Sequence, residues 1–163
     1  SKNKKGFSIL NNNLALCKMI NPLWHGCVSS NDNSILNYLE NTKIAHLSWS
    51  SQGRGYFLPD EITKKIEDQI TKAENWRQPG EHSSGPLSCF DSKENRERKS
   101  RANSLANKMN TNIQNIAGAW PLNFNFPSFA LIGPRTIQEI DSSLINLDIN
   151  LNIDEVNWLN LKP

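Results

Sequence analysis

Apolar and polar positions along the chain fall into short apolar runs separated by longer stretches with helical spacing. The first run, Phe7-Ser8-Ile9-Leu10, gives way to Asn11-Asn12-Asn13 and reads as a buried strand that stops at polar residues. Residues 17–32 read as a loop, because Asn21-Pro22, His25-Gly26 and Ser29-Ser30-Asn31-Asp32 supply breakers and caps. Ile35, Leu36 and Leu39 then recur at helical spacing over 33–41, with Tyr38 and Glu40 pointing elsewhere. Residues 44–49 form a second buried-strand candidate, ending in the turn Ser50-Ser51-Gln52-Gly53-Arg54-Gly55.

Ile62, Ile66 and Ile70, four residues apart, predict a helix over 61–76, and Pro79-Gly80 with Gly85-Pro86 mark 78–87 as a loop. A charged helix follows over 91–107, capped by Asp91 or Ser92, with Leu105 and Ala106 approaching the core. Thr111 is the expected cap of a helix running to Trp120, where Pro121 ends or kinks it. Phe129-Ala130-Leu131-Ile132 is the third buried-strand candidate. Beyond it, Thr136 and Glu139 have the spacing of a capping box, and Ile140, Leu144 and Leu147 supply an apolar stripe. Asn152 and Glu155 cap a last short helix carrying Trp158 and Leu159.

Apolar strands alternating with helices predict an α/β fold with a parallel sheet covered on both faces. Three strands are few for a domain of this class. Together with the charged opening Ser1-Lys2-Asn3-Lys4-Lys5, which lacks Met, this suggests the C-terminal part of a larger protein. The expectation is one incomplete domain over 1–163, loop-rich at 77–90.

Composition narrows the classes. A chain of 163 residues, 37% hydrophobic and 21% charged, is globular, and a net charge of +2 leaves no overall nucleic-acid footprint. The mixed-sign run from Lys93 to Arg101 lacks interleaved aromatics and reads as a solvated helix face, so no nucleic-acid partner is expected. With no apolar run near membrane-spanning length and no signal peptide, neither a membrane partner nor secretion is expected, and the default location is cytoplasmic. Cys17, Cys27 and Cys89, at no familiar spacing, read as free thiols. His25 and Cys27 lack the companions that a metal or nucleophile site needs, His46 reads as a satisfied core histidine, and His82 as a solvated one.

One stretch carries chemistry. In "LIGPRTIQEI" (131–140) a lone cation stands between a strand end and the first turn of a helix. A helix start already presents unpaired N–H groups and partial positive charge, so Arg135 there suits an anionic ligand. Gly133 lets a backbone approach closely, and Thr136 can serve as cap and ligand. The two glycines of Gly53-Arg54-Gly55 suit a tight strand exit better than a phosphate loop.

The segments "LSWSSQGRGYF" (47–57), "NIAGAWPLNF" (115–124), "PSFALIGPRTIQEIDSSLINLDINL" (127–151) and "EVNWLNL" (155–161) together resemble the C-terminal half of an aldo/keto reductase. The resemblance runs in order from about Phe7 to Leu161. It implies a (β/α)8 TIM barrel, of which this chain supplies the sixth to eighth strands, and NADPH-dependent reduction of aldehyde and ketone carbonyls. By the same resemblance Trp49 stacks on the nicotinamide, Ser50 and Ser51 meet the pyrophosphate, and Asn11 holds the carboxamide. Gly133, Arg135 and Thr136 take the adenosine phosphate, with Glu139 and Ser143 further along the same helix. Phosphate sites after the seventh and eighth strands are common in such barrels.

Arg135 suits the 2′-phosphate of NADP, whereas Glu139 would repel it and could accept from a free ribose hydroxyl, so NAD use stays open beside NADP. Ser143 replaces a frequent Asn that reaches the adenine. The family's Asp, Tyr, Lys and His catalytic residues come from earlier strands; Tyr38 and Tyr56, the two tyrosines here, lie outside the required motif. The leading expectation is therefore the cofactor-binding part of a reductase, needing the upstream part of the same barrel as partner and a small carbonyl compound as substrate. The alternative is a truncated, non-catalytic nucleotide-binding or interaction module, motivated by Pro121 and by the open sheet that missing strands would leave. Fusion to an upstream oxidoreductase domain is a third. Trp24 stays unassigned.

Overall fold

The structure, a computed structural model, describes residues 6–74 and 85–162. The expected helix end at Trp76, most of the 78–87 loop and His82 lie outside the described residues. Strands β1 (Ile9–Asn13), β2 (Ala45–Trp49) and β3 (Ser128–Ala130) form one parallel sheet in the order β1-β2-β3. Ile9 pairs with Ala45 and Asn13 with Trp49, and Leu47 pairs with Phe129. The helices are α1 (Asn33–Thr42), α2 (Asp60–Glu74), α3 (Pro86–Phe90), α4 (Lys93–Lys108), α5 (Ile113–Ala119), α6 (Ile137–Leu144) and α7 (Ile153–Leu159).

Local chemistry explains most boundaries. Asp32 caps α1 by accepting from the Ser34 N–H, and Ser92 caps α4 by accepting from Asn95 N–H. Asn152 and Glu155 make a full reciprocal capping box on α7. Leu105 and Ala106 are buried as expected. The Gly53-Arg54-Gly55 turn is a packed strand exit: Gly53 has φ +67°, and a Cβ there would meet Cys17 Sγ at 2.6 Å.

Several expectations are corrected. β1 does not stop before the asparagines but runs through all three, since pairing with β2 satisfies their backbone and overrides their poor strand propensity. Thr111 does not cap α5: its hydroxyl donates to Asn115 Oδ1 at 3.3 Å, and Asn112 holds the cap position. Residues 86–90, read partly as loop, form α3, with Pro86 in its first turn and Glu67 of α2 accepting from Leu87 N–H at 2.7 Å. β3 closes at Ala130, although Leu131 N–H still reaches Ser48 O at 2.9 Å. Pro121 falls in a 3-10 turn just after α5, where its missing N–H breaks no helix.

The sheet is covered on one face, not two. Leu10, His46 and Ser48 face the helices, and His46 is fully buried between Ser48 Oγ (3.0 Å) and Ser30 Oγ (2.9 Å). On the opposite face Ile9, Asn11 and Phe129 are exposed and Leu47 is half-buried. The apolar residues of α6 and of the 3-10 turn after it (Ile145–Asp148) are exposed too, Ile137 and Leu147 most of all. The core lies between the covered face and the helices, built from Leu14, Leu16, Leu23, Leu39, Phe57, Phe90, Leu105 and Ile116. The three cysteines are free thiols, and burial pushes the Cys89 thiol up to about 12. No helix among the described residues is long and apolar enough to cross a membrane.

Candidate functional site

Parallel pairing puts the C-terminal ends of all three strands on one rim of the sheet. Ligands in α/β folds gather at such rims, because the loops there diverge while the strands hold their roots rigid. Two interactions lock the exits of β2 and β3 side by side. Leu131 N–H donates to Ser48 O at 2.9 Å, and the Ser51 hydroxyl donates to Leu131 O at 3.2 Å. The turn after Trp49 and the turn before α6 are thus neighbours.

At the β2 exit, Ser50 adopts a left-handed backbone with φ +51°, and its carbonyl accepts from Gly53 N–H at 2.8 Å. Ser51 is buried and committed to its bond with Leu131. Trp49 is half-buried, and its ring stacks on Trp24 with centroids 5.1 Å apart and planes at 27°. Asn11 lies two residues upstream of the β1 end, exposed, on the same sheet face as Leu47 and Trp49.

At the β3 exit, Gly133 is exposed with nothing within 4 Å of a Cβ placed on it, so no packing within the described residues demands a glycine there. Arg135 is exposed and makes no ion pair among the described residues. Thr136 Oγ1 caps α6 by accepting from Glu139 N–H at 3.2 Å. The reciprocal half of the expected box differs: Glu139 Oε2 accepts from Arg135 N–H, at 2.5 Å, one residue before the cap. Its carboxylate is engaged by backbone, which explains Glu139 without a ligand. Thr136, Glu139 and Ser143 follow at i, i+3 and i+7 and share one face of α6, with Ser143 half-buried.

Tyr56, Asp91 and Lys99 meet elsewhere, as packing. Tyr56 Oη donates to Asp91 Oδ1 at 3.4 Å, and Lys99 Nζ sits 5.4 Å from the Tyr56 ring centroid while bonding Leu58 O and Asp60. Burial, then the Asp91 charge, pushes the phenol upward, away from the working range of a general acid. Among the described residues no three His, Cys, Asp or Glu side chains gather as a metal set.

Against solved structures the chain matches a thermostable aldo-keto reductase crystallised with the inhibitor epalrestat. The TM-score is 0.59 at 11% identity, over 98% of this chain and 41% of the reductase. The chain has an aldo-keto-reductase-like fold. The sheet and its covering helices correspond to part of that larger structure, since the chain spans about two-fifths of the length of the reductase it matches. No family model matches the sequence, and the search of curated proteins returns no match.

The sequence leaves Trp24 unassigned and Asn13 unmarked. The buried Asn13 donates from Nδ2 to Trp49 O at 3.2 Å and accepts from Ser29 Oγ at 3.0 Å. A third asparagine in a polar triplet gave no sign of this, whereas a Trp in a Pro/Gly loop was a visible oddity.

Proposed function

We propose that this chain is the dinucleotide-binding, C-terminal part of an NAD(P)H-dependent oxidoreductase that reduces aldehyde or ketone carbonyls. The observation that carries the reading is the paired rim. An arginine with no ion pair among the described residues precedes a threonine-capped helix start, and Leu131, four residues before it, is bonded to Ser51 in the turn that follows the half-buried Trp49. Arg135 and the α6 N-terminus together favour an anion, and the guanidinium fork suits a phosphate. Gly133 leaves room for its approach. Trp49 offers the aromatic surface for a nicotinamide, Asn11 an amide on the same face, and Ser50 a hydroxyl toward the pyrophosphate. Ser51 acts in this scheme as the brace between the two turns. Ser143 faces the adenine side of α6.

The dinucleotide, when bound, supplies the hydride; this chain's residues bind and orient it. Orientation of that kind is the main contribution a scaffold makes to hydride transfer. The catalytic acid belongs to the upstream part of the barrel. NADP is favoured over NAD, because Arg135 has no carboxylate partner among the described residues while the Glu139 charge is partly spent on the Arg135 N–H.

Titration of the chain with NADPH and with NADH, following tryptophan fluorescence, tests this. Saturable quenching by NADPH that weakens by roughly tenfold in Arg135→Ala, with NADH little changed, is the expected result. No binding of either by the folded chain overturns the reading.

The open sheet face, with Ile9 52% and Phe129 53% exposed, favours a second reading. In it the chain is a non-catalytic module that uses this face to meet a protein partner. A defined oligomer with no dinucleotide affinity would support it.

A further inference from the structure

The loop between β1 and α1 presents Trp24 to Trp49 from a fixed position. On its C-terminal side, Ser30 N–H donates to Asn13 O at 2.7 Å, and Asn31 Nδ2 donates to Ala15 O at 2.8 Å. On its N-terminal side, Ile20 N–H donates to Cys89 O at 2.9 Å and Asn21 Nδ2 to Ser88 O at 2.8 Å, tying the loop to α3. Between these anchors Cys27 N–H closes a turn on Trp24 O at 3.0 Å, and Gly26 takes φ +79°. Trp49 is held from the same source. Asn13, fully buried, bonds both Trp49 O and Ser29 Oγ, so one asparagine ties the end of β2 to the C-terminal anchor of the loop that carries Trp24.

The two rings are offset-stacked at 5.1 Å, the arrangement in which aromatic pairs attract. With Trp24 stacked on it and the core packed beside it, the Trp49 ring has a defined tilt. Trp24 itself is 46% exposed, so its stacking is not enforced by burial in the core.

We propose that Trp24 is a positioning residue for the nicotinamide: it acts through Trp49, setting the plane on which the cofactor ring stacks. This rests on the dinucleotide reading above and goes beyond it, because it names a residue that touches Trp49 and not the cofactor. The consequence is specific. Loss of Trp24 weakens ligands that carry the nicotinamide and spares ligands that carry only the phosphorylated adenosine held by Arg135.

Calorimetric titration of the full chain with NADP⁺ and with adenosine 2′,5′-bisphosphate, which lacks nicotinamide, separates the possibilities. In Trp24→Ala the NADP⁺ dissociation constant should rise roughly three- to tenfold, while that of the bisphosphate should stay within about twofold. Trp24→Phe, which keeps a stacking ring, should recover most of the loss. Unchanged NADP⁺ binding in Trp24→Ala overturns the proposal. Tighter binding also overturns it and makes Trp24 a competitor for the nicotinamide's place. Weakening of both ligands alike makes Trp24 a merely structural residue. Failure of the unsubstituted chain to bind either ligand overturns the dinucleotide reading itself.

Discussion

The Ser51 hydroxyl donates to the Leu131 carbonyl across 3.2 Å and so joins the exit of β2 to the exit of β3, residues 80 apart in sequence. With the Leu131 N–H to Ser48 O bond, it makes one rim out of two turns. Ser51→Ala should cost about 1 kcal/mol in urea unfolding, the usual net value of a hydrogen bond of this kind. Amide exchange across 131–136 should quicken with it. Unchanged stability and exchange would show that the strand pairing alone holds the rim.

Glu139 sits one turn inside α6 with its carboxylate on the Arg135 N–H. Glu139→Gln keeps an acceptor for that N–H and removes the charge. NADPH should then bind roughly two- to fivefold more tightly at low salt, with NADH unaffected, because repulsion of a 2′-phosphate is relieved and is salt-screened. Equal gains for both cofactors would argue against a 2′-phosphate near this face of α6.

His46 is buried between two serine hydroxyls and beside Phe126, with no charged partner in contact among the described residues. Burial lowers its pKa from 6.5 to about 4. The unfolded chain therefore takes up a proton near pH 6.5 that the folded chain refuses until near pH 4. The stability tied to the neutral ring is complete above pH 6.5 and drains away as pH falls from 6.5 toward 4. Urea midpoints measured across this window should fall for the unsubstituted chain and stay flatter in His46→Gln. Parallel curves would assign the acid sensitivity to other groups.

Gly118 lies in α5 directly under Asn146, and a Cβ there would run into the Asn146 amide nitrogen. That amide's oxygen accepts from Asn115 Nδ2 at 2.9 Å, a buried bond between α5 and the turn after α6. Gly118→Ala should destabilise by about 1–3 kcal/mol despite the better helix propensity of alanine, as overpacking does. Adding Asn146→Ala should return part of the loss. A neutral Gly118→Ala would mean the turn after α6 yields freely.

Phe129 and Ile9 stand on the open sheet face. The isolated chain should self-associate with rising concentration, as uncovered apolar sheet with open edges does. Phe129→Lys should reduce that association in light scattering. A monomer at all concentrations, with or without the substitution, would show that the face is tolerated by water.

Much of the fold around the candidate site was legible in the sequence because its signals are local. Apolar runs of strand length, a Thr and Glu three apart, and an Arg beside a Gly-Pro turn each act within a few residues. The strand-helix alternation predicted a parallel sheet, and the three strands formed as one. Local signals mislead where a distant partner decides. Asn11-Asn12-Asn13 reads as a strand stop until β2 supplies the ladder, and the Thr111 cap signal loses to Asn115.

What the sequence determined by itself is most of the elements and several of their caps, since periodicity, caps and turn residues are short-range properties. Tertiary structure alone decided which sheet face is covered, because continuous apolar runs look the same on both faces. It also decided that Ser51 braces a turn 80 residues away, that Asn13 ties the Trp49 carbonyl to Ser29, and that Trp24 lies on Trp49. Those are long-range pairings, and a side chain's partner across the fold leaves no mark on its neighbours along the chain.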